Sequence, residues 1–383
     1  MRIAVYCQHV LGIGHFFRTL ELCRALAGHR VLLISGGSPV EAVLPAHVRL
    51  APLPGLMMDS EFKALHGAEG EASVEQIKTR RRKMLDDCLE AFAPDILLLE
   101  LYPFGRKAFR FEIDPVLERM RTRRPRSCRV VCSLRDILVE KKDTTAYESR
   151  VVKTLNRWFD ALLVHSDPNL FSLEETFGRV RDIAPPMVYT GYVTPRPASG
   201  ARHRMRRRFG LGDGDTLVVA SAGGGKVGLP LLEAAVEAAG RSNWAGRLHL
   251  RVFGGPFMAD GAYARLAARA TERIHVARFT PHFLDHLAAA DLSISMAGYN
   301  TCMNILAAEV PALVWPFAQN REQHLRAERL SRMGALELIE DGDLQGERLA
   351  SMMQQMLSRR RRPASVVDLD GARHTAEWMT DCL

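Results

Sequence analysis

Short apolar runs alternate with helical stretches along this chain, and the alternation starts twice. Residues 2–7, 31–35, 48–53, 96–100, 129–133, 161–165 and 187–190 read as strands. Residues 16–27, 73–92, 107–120 and 147–159 carry apolar side chains at helical spacing. Residues 54–70 hold glycine, methionine and charges without periodicity and read as a long loop. The segment 191–200, G-Y-V-T-P-R-P-A-S-G, interrupts the pattern as a linker would. The pattern then restarts with strands at 216–221, 248–253, 274–277, 292–295, 312–315 and 336–339, separated by helices. Alternation of this kind builds a parallel sheet with helices on both faces. Two doubly wound α/β domains are expected: 1–192, a linker at 193–212, and 213–362. A terminal helix is expected within 363–383.

At 383 residues the chain is long enough for two cores. Its seven cysteines are an odd number without a C-x-x-C pair, and Cys128 and Cys132 fall on one face of a predicted strand. That usage suits a reducing compartment and disfavours a disulfide or zinc framework. No apolar run reaches the roughly 18–20 residues that span a bilayer. Gln8, His9 and His15 break up the N-terminus, which makes a poor signal peptide and a good first strand. A cytoplasmic protein is expected. The net charge of +8 gathers in basic runs at 80–83, 121–126, 202–208 and 359–362. Read plainly, these are solvated helix faces and loops. The sharper reading is attraction to an anionic partner: nucleic acid, an anionic membrane met peripherally at its inner face, or a phosphorylated acceptor. No nucleic-acid-binding signature accompanies the charge, so nucleic acid is not expected as a partner.

The chemistry-bearing residues fall where strands end and helices begin. In a parallel sheet those points share one edge, and ligands bind there. Residues 290–323 supply two strand ends, two helix starts and the polar run Gln319 to Gln323. Helix N-termini suit phosphate. In G-I-G-H, residues 12–15, His15 would begin a helix, where a neutral imidazole can take a proton from a hydroxyl or bond a phosphate. The loop S-A-G-G-G-K-V-G, residues 221–228, lacks Walker A spacing. Its glycines can still form an anion nest, with Lys226 adding charge. Glu100 ends the run I-L-L-L-E, and a buried carboxylate there needs a partner. Either Arg106 or Arg135 pairs with it, or it serves the acceptor or acts as a second base. The segments 100–106 (E-L-Y-P-F-G-R), 133–136 (S-L-R-D) and 57–62 stand out in the first domain. No D-x-D pair stands on a binding loop; Asp213 and Asp215 lie in a predicted turn.

The layout S-x-A-G-x-N-T at 295–301, then a strand, P-F and E-Q, resembles the nucleotide-sugar site of the glycosyltransferase family 28 group. The G-x-G-H loop is similar to the N-terminal loop of GT-B transferases. The segments 100–106 and 133–138 resemble an uncharacterised bacterial branch of predicted family 28 glycosyltransferases. Together these matches cover most of the chain. The resemblance implies a GT-B fold, two Rossmann-like doubly wound domains facing a cleft, with the terminal helix packing back on the first domain. It implies an inverting, metal-independent glycosyltransferase that needs no cofactor. The donor would be a nucleotide sugar, UDP-linked, in the second domain. The acceptor, a lipid-linked molecule or a small metabolite, would enter from the first.

By the same resemblance, Gly14, Gly223, Gly224, Gly225, Lys226, Gly298, Asn300 and Thr301 would serve the donor diphosphate. The backbone of Phe279 would read the uracil edge. Glu322 and Gln323 would bond the donor sugar. Family members commonly hold the ribose with a Glu where this chain has Asn304, and an amide binds a diol less strongly than a carboxylate. His15 would be the base, with Glu100 or Asp136 as orienting partner or rival. Phe104 and Arg135 would serve the acceptor. Two other readings stand beside this one. One is a nucleotide-sugar epimerase or hydrolase of the same fold. The other is a non-catalytic GT-B-like protein on an anionic surface, which Asn304 favours.

Overall fold

A computed structural model describes all residues except 11–12, 59–64, 68–72, 123–127, 139–142, 242–243, 245, 360–366 and 382–383. The chain divides into two compact units, Met1–Val193 with Val367–Leu383, and Thr194–Val366. The strands of the first unit are β1 (Arg2–Gln8), β2 (Arg30–Gly36), β3 (Val48–Pro52), β4 (Leu56–Met58), β5 (Leu65–Gly67), β6 (Ile96–Glu100), β7 (Arg129–Arg135), β8 (Ala161–His165) and β9 (Met187–Tyr189). Its helices up to the linker are α1 (Gly14–Ala25), α2 (Val74–Phe92), α3 (Arg110–Thr122) and α4 (Thr144–Trp158). The second unit holds α5 (Ala201–Arg208), β10 (Asp215–Ser221), α6 (Leu229–Ala239), β11 (Arg247–Phe253), α7 (Asp260–Ala267), β12 (Ile274–Ala277) and α8 (Phe283–Ala289). It continues with β13 (Leu292–Met296), α9 (Tyr299–Ala308), β14 (Ala312–Trp315), α10 (Arg321–Arg332), β15 (Glu337–Leu338) and α11 (Gly346–Ser358). Helix α12 (Gly371–Asp381) closes the chain.

In the first unit the main sheet runs β3-β2-β1-β6-β7-β8-β9, with every pairing parallel. The central strands are buried on both faces, as continuous apolar runs such as I-L-L-L-E require. Order reverses between β1 and β6, where Tyr6 pairs with Leu99. In the second unit the order is β12-β11-β10-β13-β14-β15, and it reverses between β10 and β13, where Ser221 pairs with Ser295. Each reversal leaves a crevice at the strand C-termini.

Three expectations need correction. Residues 54–70 are not all loop: β4 and β5 form an antiparallel pair, with Leu56 opposite Gly67. The stretch 57–62 lies partly outside the described residues. Within the segment read as a linker, α5 is a helix packed on α8, and Arg202 and Arg206 both grip Asp291. The basic runs are not all solvated. Arg81, on α2, is fully buried, with two nitrogens on Glu112 of α3 at 2.9 and 2.6 Å. Parts of the runs at 121–126 and 359–362 lie outside the described residues.

Helix α2 begins with a reciprocal cap between Ser73 and Gln76. Helix α12 packs on α1, burying Met379 among Phe16, Leu20 and Leu22. The tail leading to it is tied by Tyr192 N–H donating to the Asp368 carbonyl at 2.8 Å. The described cysteines are free thiols. Among the described residues no helix is long and apolar enough to cross a membrane.

Candidate functional site

In the first unit the crevice between β1 and β6 collects four charged or ionisable side chains. β1 ends at Gln8, and α1 begins at Gly14 with Ile13 as a cap that offers no side-chain oxygen. His15 therefore sits in the first turn of a helix, where the partial positive charge disfavours imidazolium. Glu100 is the last residue of β6 and is 1% exposed. His15 Nδ1 lies 2.7 Å from Glu100 Oε1. Arg18, one turn further along α1, also donates to Oε1, and Arg106 Nη2 donates to Oε2 at 3.0 Å. Burial opposes ionisation of Glu100, but the positive charges around it prevail and hold its carboxyl well below the usual range. Burial is also the main cause that lowers His15, to about 4. Glu100 acts the other way, and Arg106 and Arg135 add to the lowering.

At neutral pH, then, Glu100 is ionised and His15 is neutral. The carboxylate fixes the tautomer: Nδ1–H donates to Glu100 and Nε2 keeps a lone pair. Nothing among the described residues bonds that Nε2, and 24% of the His15 side-chain surface is exposed. The pair can accept a proton at Nε2 and steady the resulting imidazolium through Nδ1.

Arg135 ends β7, half-buried, and its charge acts on His15. Asp136 follows it, 1% exposed. Phe104, expected to serve the acceptor, is a core residue instead. It is 3% exposed, stacked edge-on against Phe177 at 5.2 Å, and its carbonyl accepts from Tyr147. Gly14 opens α1, whereas Gly12 lies outside the described residues.

In the second unit the crevice lies between β10 and β13. Gly223, Gly224 and Gly225 follow β10. Gly223 and Gly224 are exposed, and Gly223 N–H donates to Ser221 Oγ at 3.1 Å. Gly225 serves packing. At φ +87° it lets two backbones touch, since a Cβ there would stand 2.4 Å from the Gly254 carbonyl. Lys226 is exposed, with Nζ 5.9 Å from the Phe257 ring centre. Across the crevice Gly298 caps α9 without a side-chain acceptor, and Asn300 and Thr301 lie in the first turn. That helix start presents partial positive charge toward the strand ends.

Beneath it sits Arg326 of α10, fully buried. Its Nη1 donates to the Ala297 carbonyl at 3.3 Å and its Nη2 to Glu322 at 3.0 Å. Glu322, read as a sugar ligand, is thus tied to Arg326 and only 8% exposed. Gln323 Oε1 accepts from Phe317 N–H at 3.1 Å, turning the residue back on the strand end. Asn304 Oδ1 accepts from Thr194 Oγ1 at 2.9 Å, which leaves its N–H groups and one oxygen lone pair for a ligand. Phe279, just past β12, is 49% exposed. Phe279 is the one expected donor residue with a large bare apolar face.

Sequence reasoning missed Arg18 and Arg326, whose burial no local pattern announces. It also missed a chain of hydrogen bonds behind Glu100. Ser133 Oγ is 2.7 Å from His165 Nε2, and His165 Nδ1 is 2.8 Å from Thr190 Oγ1, all buried. Burial lowers His165 to about 3, so it is a neutral link. Among the described residues no cluster of three or more His, Cys, Asp or Glu stands ready for a metal ion.

Residues 231–373 match the glycosyltransferase family 28 C-terminal domain. An uncharacterized glycosyltransferase of Methanopyrus kandleri is 22% identical over 231 residues, 60% of this chain and 63% of that protein. The UDP-N-acetylglucosamine–N-acetylmuramyl-(pentapeptide) pyrophosphoryl-undecaprenol N-acetylglucosamine transferase of Vibrio cholerae is 33% identical over 112 residues, 27% of this chain and 32% of that protein. The matches span less than two thirds of either relative. Among solved structures, MurG of Acinetobacter baumannii superposes with a TM-score of 0.56 at 15% identity, over 99% of each chain. A UDP-glucosyltransferase from Polygonum tinctorium gives 0.61 at 14%, over 99% of this chain and 98% of that one. These likenesses show the fold, which is GT-B with two Rossmann-like units.

Proposed function

We propose, from the premise that this chain carries a glycosyltransferase family 28 C-terminal domain, that it moves a sugar from a nucleotide-sugar donor to a hydroxyl-bearing acceptor. The donor is UDP-linked, and the reaction inverts the anomeric carbon. The observation that carries this reading is the His15–Glu100 pair at the β1–β6 crevice, with Nδ1 committed to the carboxylate and Nε2 left as base.

His15 Nε2 takes the proton of the acceptor hydroxyl as its oxygen attacks the anomeric carbon. The bond from that carbon to the diphosphate oxygen breaks on the opposite side, and the nucleoside diphosphate leaves with the electron pair. Glu100 steadies the imidazolium formed. Charge building on the leaving diphosphate is met by the first turn of α9 and the amides of the 223–224 loop, which supply fixed partial positive charge. No divalent ion is needed in that account. Thr301 and Asn300 add side-chain donors at the same turn. Gln323 faces the donor sugar, and the exposed Phe279 stacks near the base.

The test is transfer from UDP-sugars to a panel of alcohols in the presence of chelator, with product configuration read by NMR. An inverted linkage is expected. A retained configuration, or strict dependence on a divalent ion, would refute the mechanism.

A further inference from the structure

Arg106 is held in place against several costs. It ends the turn that leaves β6, and its backbone sits in the left-handed region at φ +60°, as does that of Leu101 at +65°. Glycine takes that conformation freely, and larger residues keep it only where their surroundings impose it. Here they do. Leu101 N–H donates to the Ser133 carbonyl at 2.8 Å, Gly105 N–H to the Leu101 carbonyl at 2.7 Å, and Phe109 N–H to the Arg106 carbonyl at 2.8 Å. The turn folds the Arg106 side chain back onto the end of β6, 7% exposed, with Nη2 on Glu100 Oε2. Its buried Nε has no hydrogen-bond partner among the described residues, and an unpaired buried donor is costly.

Neutralising Glu100 does not require these costs, because buried Arg18 already gives Oε1 a cation at 2.5 Å. With Arg106 added, Glu100 and its two arginines together carry net positive charge. His15 Nδ1 bonds that group, and Arg135 acts on the imidazole from the end of β7. A carboxylate beside a histidine favours imidazolium, and a second guanidinium opposes it. The other ionisable groups that feel Glu100 are uncharged at neutral pH. Burial lowers His9 and His165 and pushes up the thiols of Cys7 and Cys132. Tyr6 feels Arg106 as well, but its hydroxyl is committed to Glu112, which is paired with Arg81. Arg106 also divides the carboxylate: it takes Oε2 and leaves Oε1 to Arg18 and His15.

We propose that Arg106 is a positioning residue for His15: it anchors Glu100 through Oε2, leaves Oε1 to the imidazole Nδ1, and keeps positive charge off the ring. Its bearing on catalysis rests on the transferase reading; its hold on the imidazole does not.

The test is an NMR pH titration of the full chain with labelled histidines, the His15 signal being assigned by its loss in His15→Gln. Wild-type His15 should stay neutral down to about pH 5. In Arg106→Met its midpoint should rise by about one unit or more, a tenfold gain in proton affinity, and Arg106→Lys, which keeps the charge, should restore most of the difference. A urea melt at pH 7 checks that each variant is folded, and Arg106→Gln gives the same reading if Arg106→Met melts early. An unmoved midpoint in a folded neutral variant would overturn the proposal. An equal rise in Arg106→Lys would also overturn it, because the effect would then come from the fold and not the charge. The titration needs no substrate. A midpoint that moves in a protein without transferase activity supports the role of Arg106 and sinks the transferase reading. Where transfer occurs, the acid limb of kcat/KM should move with the midpoint; a limb that moves while the midpoint stays would overturn the proposal and leave the transferase reading standing.

Discussion

His15 Nδ1 and Glu100 Oε1 are 2.7 Å apart although 85 residues separate them, and the strand order explains why. β1 and β6 are neighbours at the sheet reversal, so the helix that follows β1 starts beside the last residue of β6. Two arginines share the same carboxylate. The carboxylate is therefore ionised and the imidazole neutral, and each fixes the geometry of the other.

The first prediction concerns pH and rate. As the proposed base, His15 would have to be unprotonated to act, and it is lowered to about 4. kcat/KM should be flat from pH 8 to about 5 and fall below that, with an apparent value near 4 rather than 6.5. Glu100 raises the imidazole, so Glu100→Gln should move the limb to lower pH while reducing kcat. A limb near 6.5 in the wild type would mean that His15 is not the titrating group.

Stability follows the same groups. His15 and His165 are lowered to about 4 and about 3, so folding favours their neutral forms. Above pH 6.5 that contribution is complete. Between 6.5 and 4 the unfolded chain binds protons that the folded chain refuses, and stability falls with pH, by about 1.4 kcal/mol per unit for each histidine at most. Glu100 is depressed, so its contribution is complete above about 4.5, where the unfolded carboxyl titrates, and is lost progressively as the pH falls further toward its folded value. Urea melts at pH 7, 5.5 and 4.5 should show the decline, and His165→Asn should flatten it.

Arg81 gives a test of the fold. Arg81→Met leaves Glu112 buried without its cation and should cost about 3–5 kcal/mol in a denaturant melt. Arg81→Met with Glu112→Leu should recover part of that loss. A single variant with wild-type stability would show that the pair is not buried as described.

The doubly wound architecture was legible in the sequence because central parallel strands must be apolar throughout, as in residues 96–100 and 292–295. Phe104 was misread because E-L-Y-P-F-G-R follows a strand end, and adjacency to an edge does not say which way a ring points. Here it turns inward against Phe177. Arg18 and Arg81 were invisible because their partners lie on other elements; Arg326 has Glu322 one turn back on its own helix, but its burial and its bond to the Ala297 carbonyl depend on the fold. The short β4–β5 pair carries no alternation strong enough to read. That Glu100 would need a partner was deducible from its burial. That His15 would be one followed only once β1 and β6 were seen side by side.

Asn304 separates two accounts of the second unit. Its oxygen already accepts from Thr194 Oγ1, and whatever it offers a ligand is neutral. Asn304→Glu should tighten UDP about tenfold, roughly 1.4 kcal/mol, since charge-assisted hydrogen bonds are about twice as strong as neutral ones. The gain should vanish with 2′-deoxy-UDP. An equal gain for both nucleotides would place residue 304 away from the ribose.

The most direct test of the central claim is calorimetric titration of the full chain with UDP, GDP and dTDP, with and without chelator. Micromolar binding of UDP, unchanged by chelator and weakened by Gly298→Pro at the start of α9, is predicted. No binding of any of the three would contradict the donor site, and with it the assignment of this chain as a transferase.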